Sequence, residues 1–450
     1  MQEASSFCKS YLKFVFIILL LCFFKPVVSF FKVKSLPGFD GPLPFKLETG
    51  YVGVDENEDV QYFYYFVESE RNPTEDPLVL WLTGGPGCSA FSGLAFEIGD
   101  SSAVSSIIFL DAPVGTGFSY SKTFRGSEIG ARKYSNRVCD FIKKWLGSHP
   151  KFIKNPLYIA GDSYSGLVVP IITRKLSIGP KLGDQQHMNL KGYLLGNPIT
   201  DVHFDFNSRV PFAHRMALIS DELYQSAKRN CKGEYVNVDP KNRKCVKILQ
   251  AISKCTDKIE HSHILEPKCT QTSRALNNMN GVRRYMLQKD TGFLLAPPDF
   301  PHLDCRNYNS LICNIWTNNV SVQKALHGWK GEPRAWIRCN KSLNYVHDVQ
   351  STLSYHSYLG ARSYRALIYS GDHDMVVPYL GTLSWIKALN FSVVEPWRPW
   401  FVEQVVAGYI RKYSNHLTFA TVKGGGHTAP LYRPRECFAM FERWISGEYL

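Results

Sequence analysis

A serine, two aspartates and a histidine, each directly after an apolar run that reads as a strand, are the residues best placed to do chemistry. Leu157-Tyr-Ile-Ala160, bounded by Pro156 and Gly161, predicts a buried strand. It enters Gly161-Asp-Ser-Tyr-Ser-Gly166, with a helix expected over Ile171–Leu176. A serine pinched between strand and helix by small residues stands exposed above its sheet, as a nucleophile must. The fit to G-x-S-x-G is imperfect, because Ser165 stands where the second glycine belongs. Farther on, Arg365–Ser370 predicts a strand opening into Gly371-Asp-His-Asp374, and Leu417–Lys423 one opening into Gly424-Gly-Gly-His427. The chemistry these types permit is acyl transfer through a covalent serine ester. His427 takes the proton of Ser163 and returns it to a leaving group, while a buried carboxylate fixes the imidazole tautomer. Asp372 and Asp374 lie on the same turn, and spacing leaves both open as that carboxylate.

An oxyanion needs backbone donors. One is the N–H of Tyr164, the residue after the nucleophile; another is expected from the loop Gly84-Gly85-Pro86-Gly87, where missing side chains let a substrate approach. That loop follows the predicted central strand Leu78–Leu82. A hairpin is expected over Gly50–Glu68, a strand at Ser106–Leu110, a helix at Ala131–Leu146 and a strand at Leu190–Leu195. Strands alternating with helices predict a mostly parallel sheet covered on both faces, with its site at the strands' carboxyl ends. The order Ser, Asp, His is that of α/β-hydrolases. Alternation fails between about 203 and 362, a cysteine-rich stretch expected to form a cap, with short helices at Ser220–Lys228 and Val320–Leu326. It resumes with strands at Arg365–Ser370, Val405–Arg411 and Leu417–Lys423 and a closing helix at Pro434–Ile445.

The 450 residues are 44% hydrophobic and 14% aromatic, enough for a sizeable core. Lys9 and Lys13 precede the apolar run Phe14–Phe24, followed by Lys25-Pro26 and a small-residue site at Ser29. That run is shorter than the ~20 residues that span a bilayer, so residues 1–29 read as a signal peptide and 30–450 as one domain. The net charge of +13 is scattered without any nucleic-acid motif, and no further stretch reads as a membrane span. Of the twelve cysteines, Cys8 and Cys22 fall in the leader. The remainder lack CxxC spacing, which favours disulfides over a metal. Sequons at Asn319, Asn340 and Asn390 agree with a secretory route, and hence with a secreted or vacuolar protein.

From Val33-Lys-Ser-Leu-Pro-Gly-Phe39 almost to its end, the chain resembles the serine carboxypeptidase family, and most closely its plant serine carboxypeptidase-like branch. The motifs that carry the resemblance are Trp81–Ser89, Asp111–Tyr120, Gly161–Gly166, Gly371–Pro378 and Gly424–Pro430. It implies an α/β-hydrolase fold with a helical, disulfide-linked insertion and no cofactor. It implies Ser163 as nucleophile, His427 as base, Asp374 as the acid, and oxyanion donors at Gly85 and Tyr164. A Cys88–Cys339 bridge tying the oxyanion loop to the insertion is likewise implied.

Two departures from the family pattern bear on function. Family peptidases grip the substrate's terminal carboxylate with an asparagine before the glycine loop and two glutamates. The matching positions here are Thr83, next to Gly84, then Asp162 and Glu97. The Asp-Ser-Tyr-Ser pattern is similar to that of plant relatives that take glucose esters as acyl donors. The expectation is therefore an acyltransferase acting on a small-molecule donor and an alcohol acceptor, with a carboxypeptidase acting on peptides as the alternative. The second departure is a gap: family members carry a sizeable segment between Glu97-Ile-Gly99 and Val104–Ile108, where this chain has Asp100-Ser-Ser-Ala103. Such a loss is expected to remove packing, to expose a strand edge beside the oxyanion loop, and to leave an inactive binding variant as a third reading.

Overall fold

Period-two alternation of large apolar side chains builds one sheet with two buried faces. In β4 (Leu78–Leu82), Leu78, Leu80 and Leu82 enter one core while Val79 and Trp81 enter the other. The same division holds in β8 (Leu157–Asp162), where Leu157 and Ile159 oppose Tyr158 and Ala160. Burial on both faces is what a parallel sheet requires. The computed structural model describes residues 28–55, 57–179, 188–268, 306–328 and 335–450.

The strands are β1 (Val28–Val33), β2 (Leu47–Val54), β3 (Val60–Val67), β4, β5 (Ser106–Leu110), β6 (Tyr120–Ser121), β7 (Ile129–Gly130), β8, β9 (Leu190–Gly196), β10 (Tyr345–Val346), β11 (Arg365–Gly371), β12 (Val393–Val402), β13 (Val405–Tyr413) and β14 (Leu417–Val422). Eleven run in the order β1-β2-β3-β5-β4-β8-β9-β11-β14-β13-β12, with β6 added to β3, while β7 and β10 pair apart. The centre from β5 to β14 is parallel, and antiparallel ribbons finish both edges. On one face lie α1 (Ala131–Ser148) and α2 (Val169–Ser177). The carboxyl-terminal helix Pro434–Ser446 covers the other with Met440, Phe441 and Trp444.

The edge strand β12 carries Pro396 and Pro399, which interrupt the strand pattern in the sequence. Proline lacks the ladder donor and is tolerated at an edge, so the ribbon survives with register shifts. The gap beside the oxyanion loop leaves no strand edge exposed, contrary to expectation. β5 pairs with β3 on one side and β4 on the other. The short segment Gly99–Ala103 instead borders a groove of ≈ 510 Å³ lined by Phe45, Phe91, Leu94 and Trp316.

Between β9 and β11 the regular structure among the described residues is helical except for β10, with loops between the helices. It includes α3 (Val202–Asn207), α4 (Arg209–Arg215), α5 (Asp221–Cys231) and α6 (Arg243–Thr256). A Cys231–Cys245 disulfide ties α5 to α6, and a small core of Val210, Phe212, Ile219 and Ile252 holds these helices together. The helix Leu353–Gly360, inside the stretch read as insertion, packs on the sheet through Leu359. The expected leader lies outside the described residues except for Val28 and Ser29, which begin β1 opposite Val52 and Tyr51. Among the described residues, no helix is long and apolar enough to cross a membrane.

Candidate active site

Ser163 sits where β8 breaks into a 3₁₀ turn, Ser163–Leu167, and its φ of 52° lies in the left-handed region. A non-glycine residue there is strained, and the strain turns the hydroxyl out of the sheet. Glycine at 161 is obligatory, since a Cβ would stand 2.3 Å from Leu82 O. That bare position also explains the imperfect motif. Ser165 packs where the Cβ of residue 161 would have been, and its hydroxyl donates to Leu82 O at 2.7 Å.

Two distant turns meet this serine. His427 Nε2 is 2.8 Å from Ser163 Oγ, and His427 Nδ1 is 2.8 Å from Asp374 Oδ2. Asp374 is fully buried, and its Oδ1 accepts from the N–H of Val376 at 2.7 Å. Asp372 faces away: its Oδ1 lies 2.6 Å from His373 Nδ1 and accepts from Gly424 N–H at 2.7 Å. Geometry thus separates two aspartates that spacing left equivalent. Burial depresses the basicity of His427, but the adjoining Asp374 carboxylate outweighs it and holds the imidazole pKa above its ordinary value.

The Gly84–Gly87 loop lies against this turn. Gly84 N–H donates to Asp162 Oδ1 at 2.8 Å, and a Cβ at residue 84 would come within 2.7 Å of Ser163 Cβ. Gly85 has a φ of 121°, open only to glycine. The loop is braced from the insertion by the Cys88–Cys339 disulfide, by Asn340 N–H donating to Gly87 O at 2.8 Å, and by Ser89 N–H donating to Arg338 O at 2.7 Å. Among the described cysteines, Cys139, Cys313 and Cys437 are buried thiols and Cys255 is an exposed one. The fates of Cys269 and Cys305 lie outside the described residues.

Ser163 and His427 open into a cavity of ≈ 480 Å³ that also takes in Thr83, Glu97, Asp162 and Arg338. Thr83 Oγ1 accepts from the Trp81 indole N–H at 3.1 Å. Glu97 Oε2 is buried without a partner. Burial, and then the neighbouring Asp162, push the Glu97 carboxyl well above its usual range; burial likewise raises Asp162. All four residues expected to bind substrate therefore converge on the serine. Of the sequons, Asn390 is exposed, Asn319 caps the helix Val320–Ala325, and Asn340 donates its side-chain amide to Gly115 O.

Other contributors lay beyond reach of the sequence. Asn197 of the Gly196-Asn-Pro198 exit touches the acid, with its Nδ2 2.8 Å from Asp374 Oδ2. The insertion segment His261–Ile264 threads between the two turns. His427 N–H donates to Ser262 O, Met375 N–H to His261 O and Ile264 N–H to His373 O. Nothing in the local pattern of His261–Ile264 distinguishes it from any polar loop.

A family model described as serine carboxypeptidase matches residues 37–447. The chain belongs to the serine carboxypeptidase family. Among its relatives, serine carboxypeptidase-like 7 of Arabidopsis thaliana is 48% identical over 93% of this chain and 94% of its own length. Serine carboxypeptidase-like 2 of the same plant is 46% identical over 99% of this chain and 100% of its own. That alignment spans 471 positions, more than the 450 residues here, so the relative carries residues without a counterpart in this chain. In fold it is similar to the prohormone-processing carboxypeptidase Kex1(Δ)p from Saccharomyces cerevisiae. The TM-score is 0.71 at 19% identity, covering 93% of this chain and 95% of that one. The α/β-hydrolase architecture and membership of the plant carboxypeptidase-like group follow, and two disulfides point to folding in an oxidising compartment.

Proposed function

We propose that this serine carboxypeptidase-like protein transfers an acyl group from a glucose ester to an alcohol. Ser163 attacks the ester carbonyl, and His427 takes its proton and passes it to the departing sugar oxygen. Asp374 holds the imidazole tautomer, while the N–H groups of Gly85 and Tyr164 receive the oxyanion. An alcohol then enters where the sugar left, gives its proton to His427 and takes the acyl group.

The observation that carries this reading is the weakened carboxylate grip. Thr83 uses its oxygen to accept from Trp81, and Asp162 is tied to Gly84 N–H. Neither offers the paired donors of an amide nor the reach of a glutamate. A site that leaves a substrate carboxylate short of partners discriminates against it.

A second reading, a carboxypeptidase, draws on the raised pKa values of Glu97 and Asp162. Carboxyl groups that hold protons can donate to a terminal carboxylate. Incubation with hydroxycinnamoyl- or aliphatic-acyl-glucose and candidate alcohols, beside an N-blocked dipeptide, decides between them. Ester formation is expected. Release of a free amino acid, with no ester formed by an otherwise active preparation, overturns the proposal. Passage through the secretory pathway to the vacuole or cell exterior belongs to the same proposal, with Asn390 the most accessible glycan acceptor.

A further inference from the structure

The geometry points to Asn197 as a fourth member of the catalytic assembly, a positioning residue that fixes the Asp374 carboxylate beneath His427. This rests on the reading of Ser163, His427 and Asp374 as the triad. Asn197 follows β9 and is fully buried, with a φ of 42° in the left-handed region that asparagine tolerates. Its main-chain N–H donates to Tyr369 O at 2.7 Å, pinning it to β11. Its two amide ends are distinguishable by their partners. Oδ1 accepts from Gly371 N–H at 3.2 Å, so Nδ2 is the end that donates to Asp374 Oδ2.

That oxygen is also the partner of His427 Nδ1. Asp374 Oδ1 is held separately by the N–H of Val376. The carboxylate is thus held from its own turn by Val376 and by Val377, whose N–H is 3.3 Å from both oxygens, and from a different strand by the shorter Asn197 bond at Oδ2. The amide does two things there. It stops the carboxylate plane from rotating away from the imidazole, and it gives a charge-assisted hydrogen bond to the oxygen that faces His427. Asn197 touches neither substrate nor reacting atoms and acts only through Asp374.

A residue that merely bracketed the end of β9 would need only the Gly371 and Tyr369 bonds. Asn197→Asp separates the two roles, because it keeps an acceptor for Gly371 and replaces the amide donor with a carboxyl. His427 is already faced by Asp374, Asp162 and Arg209, and Asp374 also by Tyr432. Where the new carboxyl is ionised, a second negative charge among them favours the imidazolium. The rate of fluorophosphonate attachment to Ser163 should then fall, and the acid limb of its pH profile should move to higher pH. Asn197→Gly accepts the left-handed φ and removes the amide. It should label about 10- to 100-fold more slowly at neutral pH, while still unfolding cooperatively. Two folded variants that label at the wild-type rate, with unshifted profiles, overturn the inference. If wild-type protein fails to label at Ser163, it is the triad reading that falls.

Discussion

Replacing Asp374 by asparagine tests the site most sharply, because the structure shows why neither orientation of the amide can work. With its NH₂ toward the histidine, the amide presents a donor to His427 Nδ1, now 2.8 Å from Asp374 Oδ2. The imidazole must then carry its proton on Nε2, facing Ser163 Oγ, and can no longer accept the serine proton. With the amide flipped, the NH₂ faces the Val376 N–H, which now donates to Oδ1 at 2.7 Å. Two buried donors then oppose each other, at a cost of ~1–3 kcal/mol. In the first orientation the NH₂ also opposes the Asn197 Nδ2 donor, so no placement of the amide keeps both the buried hydrogen bonds and the imidazole tautomer. The expected loss is about 10³- to 10⁴-fold in the rate of acylation, or roughly 4–5.5 kcal/mol of barrier.

Asp372→Asn is the control from the same turn. It weakens bonds to His373 and Gly424 but leaves the imidazole tautomer alone, so a loss of about tenfold or less is expected. The assay is the second-order rate of fluorophosphonate attachment to Ser163, which needs no knowledge of the natural substrate. A larger loss at Asp372, or an Asp374→Asn protein within tenfold of wild type, would refute the reasoning.

Two further expectations concern the oxyanion loop and the carboxyl pair. Cys88→Ser with Cys339→Ser removes a cross-link spanning 251 residues, and the chain-entropy argument assigns it up to about 5 kcal/mol. The denaturation midpoint should drop and Ser163 labelling should slow as the Gly84–Gly87 loop loosens; an unchanged midpoint would contradict this. Any hydrolysis of the N-blocked dipeptide should show KM rising with pH. Glu97 and Asp162 have pKa values raised by burial, so they keep donor protons at acid pH and become like-charged with the substrate as pH increases. Stability contributed by these raised groups is likewise present at low pH and lost as pH climbs through their folded pKa values. A KM that falls with pH would remove them from carboxylate recognition.

Much of this protein was legible one segment at a time. Strands such as Ser106–Leu110 and Leu417–Val422 declare themselves through apolar runs, and the helix Ala131–Ser148 through the spacing of Val138, Phe141, Ile142 and Trp145. Each is a local pattern of burial, which depends on side chains close in sequence. The nucleophile and base were legible for the same reason, since each sits directly after a strand among glycines. The edge strand β12 was not, because Pro396 and Pro399 mask a ribbon that only pairing with β13 reveals.

What tertiary structure alone decided is which groups touch. Asp372 and Asp374 are two residues apart on one turn. Only the approach of Gly424 from one side and His427 from the other gives them different partners. Ser165 fits at the elbow because Gly161 leaves room for it and Leu82 receives its hydroxyl. Asn197 and the His261–Ile264 segment reach the site from far along the chain, through single hydrogen bonds that leave no periodic trace in the sequence. Periodicity records how often a side chain is buried, whereas a hydrogen bond depends on a distance and a direction. Those come into being only when β8, β9, β11 and β14 lie side by side and bring their carboxyl ends together.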